Sequence, residues 1–282
     1  AMADVVRTQG GVIKQNVTVD EILIQDGAAK AVRLEDGSEL TAPLIVSNAD
    51  AGHTYSHLLR NHKKRRWTPK KMARKRWSMG LYVWYFGTKG TADKWTDVGH
   101  HTIVNGPRFK GLLKDIFMRG KLSDDMSLYI HRPCITDPTA APEGDDTFYV
   151  LSPVPHLNWD NAVDWQKEEP VYRAKVAAEV EKLIPGFQDH ITTETVFTPE
   201  TFRDRYLSPH GSGFSLEPRI LQSAWFRPHN VSEEAKGLFL VGAGTHPGAG
   251  LPGVVSSSEV LGKMVPGITQ TSAPLDTRLA AE

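Results

Sequence analysis

The sequence has 282 residues, 40% hydrophobic and 23% charged, an ordinary globular composition long enough for one large or two ordinary domains. Lys plus Arg and Asp plus Glu number 33 each, so the overall charge gives no reason to expect nucleic acid as a partner. A single cysteine, Cys134, excludes an intramolecular disulfide and points to a reducing compartment.

In chain order, residues 1–8 read as the end of a helix closed by Gly10 and Gly11, without the basic and apolar regions of a secretory leader. Period-two patterning then predicts strands over 12–17, 21–25, 31–34 and 44–47. Asp26-Gly27 and Asp36-Gly37 turn the chain between them, giving a β-meander over 11–47 that ends in a buried strand. No full βαβ unit precedes it. The segment 78–219 carries strand-like MGLYVWYFG, MSLYIHR and TFYVLSPV and one long helix over 171–184, started near Pro170 and stopped by Pro185-Gly186. It reads as an α+β unit on an antiparallel sheet. LFLVGAG is a final strand, residues 253–265 are a helix, and the tail after Pro266 is expected to fray. No run reaches the roughly 18 to 20 apolar residues that a spanning helix needs.

Three features carry chemistry. Residues 237–263, GLFLVGAGTHPGAGLPGVVSSSEVLGK, run strand, glycines, helix, an order that aims backbone N–H groups and a helix N-terminus at an anionic or electron-rich ligand. Gly242 and Gly244 fit the first two positions of G-x-G-x-x-G, but the third falls on Pro247, so the nucleotide fingerprint proper is absent and a tight structural turn is the competing reading. Between Arg60 and Arg76, ten of 17 residues are Lys or Arg and none is acidic, with Trp67 and Trp77 interleaved. That run suits an anionic membrane surface, a nucleic acid or a solvated face. The histidines His53 and His57, four apart, and the adjacent His100 and His101 lack a zinc signature, so no metal is expected; His229 and His246 read as structural hydrogen-bonding residues.

FRPHN at 226–230, LFLVGAGTHPGAGLPGVV at 238–255, HHTIVNGPRFKGLLKDIF at 100–117, APEGDDTFYVLSPVPHL at 141–157 and FTPETFRDRYLSPHGSGFSLEP at 197–218 closely resemble the bacterial-type phytoene desaturases. These are FAD-dependent carotenoid desaturases of the amine-oxidase-like flavoprotein superfamily. The resemblance runs from Ala1 to about Val265. It implies a fold that is α/β plus α+β, a partial FAD-binding domain joined to an antiparallel-sheet substrate domain. The family's N-terminal Rossmann fingerprint has no match here, so the chain reads as the C-terminal part of such an enzyme.

By position, the resemblance places Gly242, Ala243 and Gly244 near the ribityl and pyrophosphate of FAD, and Pro252, Gly253 and Val254 at the helix start beneath the flavin pyrimidine. Val19, in NVTVDEI, would touch the adenine through its backbone. Ser256, Ser257, Ser258 and Glu259 depart from the family's small residues and lysine. The implied domains are 1–56 and 226–265 for the cofactor, 78–225 for substrate, 57–77 as a basic membrane-contacting segment and 266–282 as a tail. The implied reaction desaturates a long polyene by hydride transfer to flavin N5, with quinone or oxygen as electron acceptor, on a cytoplasmic protein peripheral to the membrane and without nucleic acid. No catalytic base is identifiable. Asp50 and Glu217 are the best candidates, each also readable as a turn or capping carboxylate. A non-catalytic lipid-binding remnant and another flavoenzyme of the superfamily, an amine oxidase or saturase, are the alternatives.

Overall fold

The computed structural model describes residues 2–265; the tail expected to fray lies outside them. The chain divides into two compact units, Ala1–Ala73 with Ser223–Glu282, and Arg74–Gln222. In the first, α1 (Met2–Thr8) ends as expected, Gly11 N–H donating to the Val6 carbonyl at 2.9 Å. Residues 12–17 are not a strand. Their exposed backbone passes to β1 (Val19–Gln25), which turns at Asp26-Gly27 into β2 (Ala28–Leu34). The reason is length: β2 ends at Leu34, opposite Val19, so residues before Val19 have no strand to pair with.

β3 (Glu39–Thr41) completes a three-stranded antiparallel sheet, a strand the sequence pattern did not predict. β4 (Ile45–Ser47) is buried as predicted but leaves the meander. It runs into α2 (Ala51–His53), capped by Asp50, whose Oδ1 accepts from Gly52 N–H at 2.7 Å.

The basic run that follows, with α3 (Pro69–Ala73), corrects one expectation. Trp67 is fully buried and Trp77 is 5% exposed, so neither stands at an interface. The backbone N–H groups of Arg65, Arg66 and Trp67 donate to the buried Glu234 carboxylate at 2.7, 2.9 and 2.6 Å, and the Trp67 indole donates to Glu233 at 2.8 Å. Two acids distant in sequence hold the backbone and one indole of the run from inside, and each charge-assisted bond contributes about 1.5–3 kcal/mol.

The second unit is a five-stranded antiparallel sheet in the order β6-β7-β8-β5-β9: β5 (Gly80–Thr88), β6 (His101–Val104), β7 (Leu128–His131), β8 (Asp146–Val154) and β9 (Ile191–Phe197). α4 (Phe109–Lys114) lies between β6 and β7, and α6 (Pro199–Tyr206) follows β9 with a Thr198 capping box. Strand alternation divides the sheet. Tyr82, Trp84, Phe86, Leu128, Ile130, Phe148 and Val150 pack on one face against Trp165, Tyr172, Val176 and Val180 of α5 (Trp165–Glu181). α5 begins six residues before the predicted start and keeps Pro170 inside. Trp165, 2% exposed and stacked on Tyr82 at 5.9 Å, anchors the early turn, and burying such a side chain outweighs the hydrogen bond proline removes.

The chain then returns to the first unit. β10 (Leu238–Leu240) pairs with β4 in parallel, Leu238 opposite Ile45 and Leu240 opposite Ser47. α7 (Leu251–Met264) starts two residues earlier than predicted, with Gly250 as its N-cap. Among the described residues, no helix is long and apolar enough to cross a membrane.

Candidate functional site: a glycine turn and an open helix mouth

The turn between β10 and α7 is held from three sides. Gly242 leaves the strand at φ +99°, and a Cβ there would meet Asn48 Oδ1 at 2.8 Å, so the position requires glycine. Its N–H donates to Ser257 Oγ at 2.9 Å, and Ser257 in turn donates to the Val254 carbonyl at 2.6 Å. Ser257 thus ties α7 to the turn. From FRPHN, the buried Arg227 donates to the Ala243 carbonyl at 2.6 Å, and Asn230 Nδ2 donates to the carbonyls of Leu240 and His246 at 3.2 and 2.9 Å. Burial pushes the Arg227 pKa down, and the nearby Asp50 charge opposes the shift. Sequence reasoning missed both clamps, because only the fold brings FRPHN to the turn.

Gly242, Ala243, Gly244, Pro252, Gly253 and Val254 therefore stand together at one turn and one helix start. Val19 stands apart from them in sequence order and sheet, at the head of β1. Gly253 packs so closely that an added Cβ would lie 2.8 Å from the Gly248 carbonyl oxygen. At the helix mouth, Gly250 has φ +96°, offers no side-chain cap, and has open space where a Cβ would be. Leu251 is 80% exposed beside it. A 14-residue helix with an uncapped, accessible first turn attracts negative charge, so this donor set fits an electron-rich ring or a phosphate.

The remaining candidates separate. Asp50 caps α2, the structural role weighed beside the catalytic one. Glu217 is ion-paired with Arg219 at 3.2 Å and Arg76 at 3.7 Å. His229 Nδ1 lies 3.1 Å from Glu233, and the His53 and His57 rings stack at 4.8 Å. Burial first, and His57 second, lower the His53 pKa. His100 and His101 gain a third neighbour that spacing could not reveal, His131, directly opposite His101 across β6 and β7.

On the sheet face turned away from α5, the strand register builds two rows across all five strands. One reads Phe197, Val83, Leu151, Tyr129, Ile103; the other reads Thr195, Tyr85, Tyr149, His131, His101. Adjacent aromatics touch, Tyr85 to Tyr149 at 5.6 Å and Tyr129 to Tyr149 at 5.6 Å. Neither row contains Asp, Glu, Lys or Arg, and four strand spacings make each about 19 Å long.

The chain matches the family described as Flavin containing amine oxidoreductase over residues 1–259. It is 64% identical over 276 residues to the neurosporene-forming phytoene desaturase of Rhodobacter capsulatus, covering 97% of this chain and 53% of that protein. It is 63% identical over 284 residues to the protein of the same name from Cereibacter sphaeroides, covering 100% of this chain and 55% of that protein. The chain thus spans about half the length of the curated relatives it matches. A solved oxidoreductase from Methanosarcina mazei shares the fold at a TM-score of 0.60 and 16% identity, over 93% of this chain and 52% of that one.

Proposed function

This chain belongs to the flavin containing amine oxidoreductases, and from that membership we propose that it carries the substrate sheet and the C-terminal flavin contacts of an FAD-dependent carotenoid desaturase. The substrate is phytoene or a closely related polyene. The observation that carries this reading is the pair of rows across the five-stranded sheet: one apolar and aromatic throughout, the other aromatic between Thr195 and the His131–His101 pair, both without carboxylate or amine and long in one direction. Such a surface holds a hydrocarbon chain by dispersion and desolvation and offers an amine substrate no ionic partner.

The flavin, when bound, supplies the hydride acceptor. Gly250, Leu251 and Gly253 would present the mouth of α7 to it, where the helix N-terminus would favour the negative charge of a reduced flavin. Gly242, Ala243 and Gly244 would form the turn beside it, and Arg227, Asn230 and Ser257 keep that turn in place. Val19 would meet the adenine through its backbone. Within the rows across the sheet, Tyr85, Tyr149 and Phe197 orient the polyene and exclude water. A quinone or oxygen is the electron acceptor that turnover requires.

Membrane contact belongs to the same reading, because a polyene is dissolved in lipid. With Trp67 and Trp77 buried, the contact rests on the exposed cations Lys63, Arg65, Lys70 and Arg74. The test of the proposal is to place this chain in the Rhodobacter capsulatus relative in place of the segment it matches and to supply phytoene in anionic vesicles. New conjugated double bonds are expected. A folded, flavin-loaded chimaera that leaves phytoene unchanged would overturn the reading.

A further inference from the structure

We propose that His100, His101 and His131 form a three-imidazole site for a divalent transition metal ion of the zinc class, at the β6–β7 edge of the second unit. The inference does not rest on the flavin or on the polyene. It begins with register: His101 and His131 are a directly opposed antiparallel pair, so their side chains leave the sheet on the same face. His100 precedes β6 and escapes strand alternation, while its carbonyl is fixed opposite the strand end by Arg132 N–H at 3.0 Å. One donor nitrogen from each ring lies within 4.8 Å of the other two, and His100 Nε2 stands 2.8 Å from His131 Nε2. Around a tetrahedral zinc, nitrogens at about 2.0–2.1 Å from the ion are about 3.4 Å apart. Small side-chain rotations close that difference.

The surrounding groups already orient the rings. Thr136 Oγ1 meets His100 Nδ1 at 2.7 Å, leaving Nε2 of that ring to point at His131. The Tyr129 hydroxyl meets His101 Nδ1 at 2.7 Å, and Tyr149 packs on the His131 ring at 4.8 Å. Outer partners of this kind set the tautomer and hold a metal-binding ring in place. A proton can bridge one pair of these nitrogens, whereas one metal ion engages all three. Three imidazoles without a carboxylate select zinc, nickel or copper over magnesium or calcium. His101 is exposed, so a fourth ligand position opens to water. Because β6 is an edge strand paired only with β7, the bound ion would also pin that edge.

The test is calorimetric titration of the EDTA-treated, exchanged 282-residue chain with zinc chloride, with cobalt(II) absorption as a geometric readout. One zinc per chain and the intense visible bands of tetrahedral cobalt are expected. His101→Ala should weaken zinc binding at least tenfold, as should His131→Ala, while His57→Ala leaves it unchanged. Because His101 is exposed, its variant should retain the parent's circular dichroism and remain informative even if His131→Ala unfolds. Absence of stoichiometric zinc binding to the parent, unchanged affinity in His101→Ala, or loss confined to His57→Ala would each overturn the site.

Discussion

Arg132 Nε donates to Asp146 Oδ2 at 2.6 Å with both side chains 1% exposed, joining the end of β7 to the start of β8. The other guanidinium nitrogens donate to the carbonyls of Trp95, Val98, Ala92 and Lys94, at 2.9 to 3.4 Å. Removing the cation would strand a buried carboxylate and four carbonyls together. Arg132→Ala is therefore expected to destabilise the protein by about 3–5 kcal/mol, measured by urea unfolding. The double replacement Arg132→Met with Asp146→Leu should recover only part of this loss, because the carbonyls stay unpaired. Full recovery would show that the ion pair alone matters.

Stability should also fall with acid through His156. Its ring stacks on Trp159 at 5.7 Å, its Nδ1 accepts from Asn158 N–H at 3.1 Å, and burial, with His210 and Arg76 nearby, pushes its pKa down to about 4. The unfolded chain takes the proton near the ordinary value of about 6.5. The contribution is thus complete above about pH 6.5 and is lost as pH falls through about 4, on the order of 3 kcal/mol before solvent screening reduces it. His156→Asn should flatten the decline of the thermal midpoint between pH 6.5 and 4. An unchanged slope would show that this histidine titrates normally.

Local elements were legible in the sequence where local chemistry decides them. Asp26-Gly27, the strand character of β5 and β8 and the strand-glycine-helix order of the last segment all read correctly. What failed depends on distant partners. Residues 12–17 alternate like a strand but face no neighbour, and α5 starts early because Trp165 finds Tyr82, 83 residues away in sequence. The basic run read as basic residues with tryptophans interleaved, and Glu233 and Glu234, far along the chain, draw its backbone and Trp67 inward. In the same way, the glycines of the turn were visible and its clamps Arg227, Asn230 and Ser257 were not.

Membrane contact by charge alone makes a narrower demand than the whole basic run suggests. The Lys64 ammonium is held by the carbonyls of Leu59 and His62, and Arg66 pairs with Glu233, so both belong to the fold. Reversing only Lys63 and Arg65 to Glu should reduce sedimentation with anionic vesicles, at about 1 kcal/mol per charge near the surface. The loss should shrink as salt rises and vanish on neutral vesicles. Equal losses on both vesicle types would refute charge as the cause.

At the turn, Gly253→Val drives a side chain into the Gly248 carbonyl and so displaces the mouth of α7. In the chimaera with the Rhodobacter capsulatus relative, flavin content after desalting should drop severalfold while circular dichroism is retained. Gly262, with nothing within 4 Å of its Cβ position, supplies the control: Gly262→Ala should keep its flavin. Full flavin retention in Gly253→Val would make the turn structural only.

The most direct measurement follows flavin absorbance in that chimaera without oxygen or quinone, in a single turnover, with phytoene in vesicles as the sole reductant. If the chain carries the substrate and flavin contacts of a desaturase, phytoene bleaches the oxidised flavin, and each flavin reduced is matched by one new double bond. A flavin that phytoene leaves oxidised but a primary amine bleaches would contradict the account and mark the chain as part of an amine oxidase.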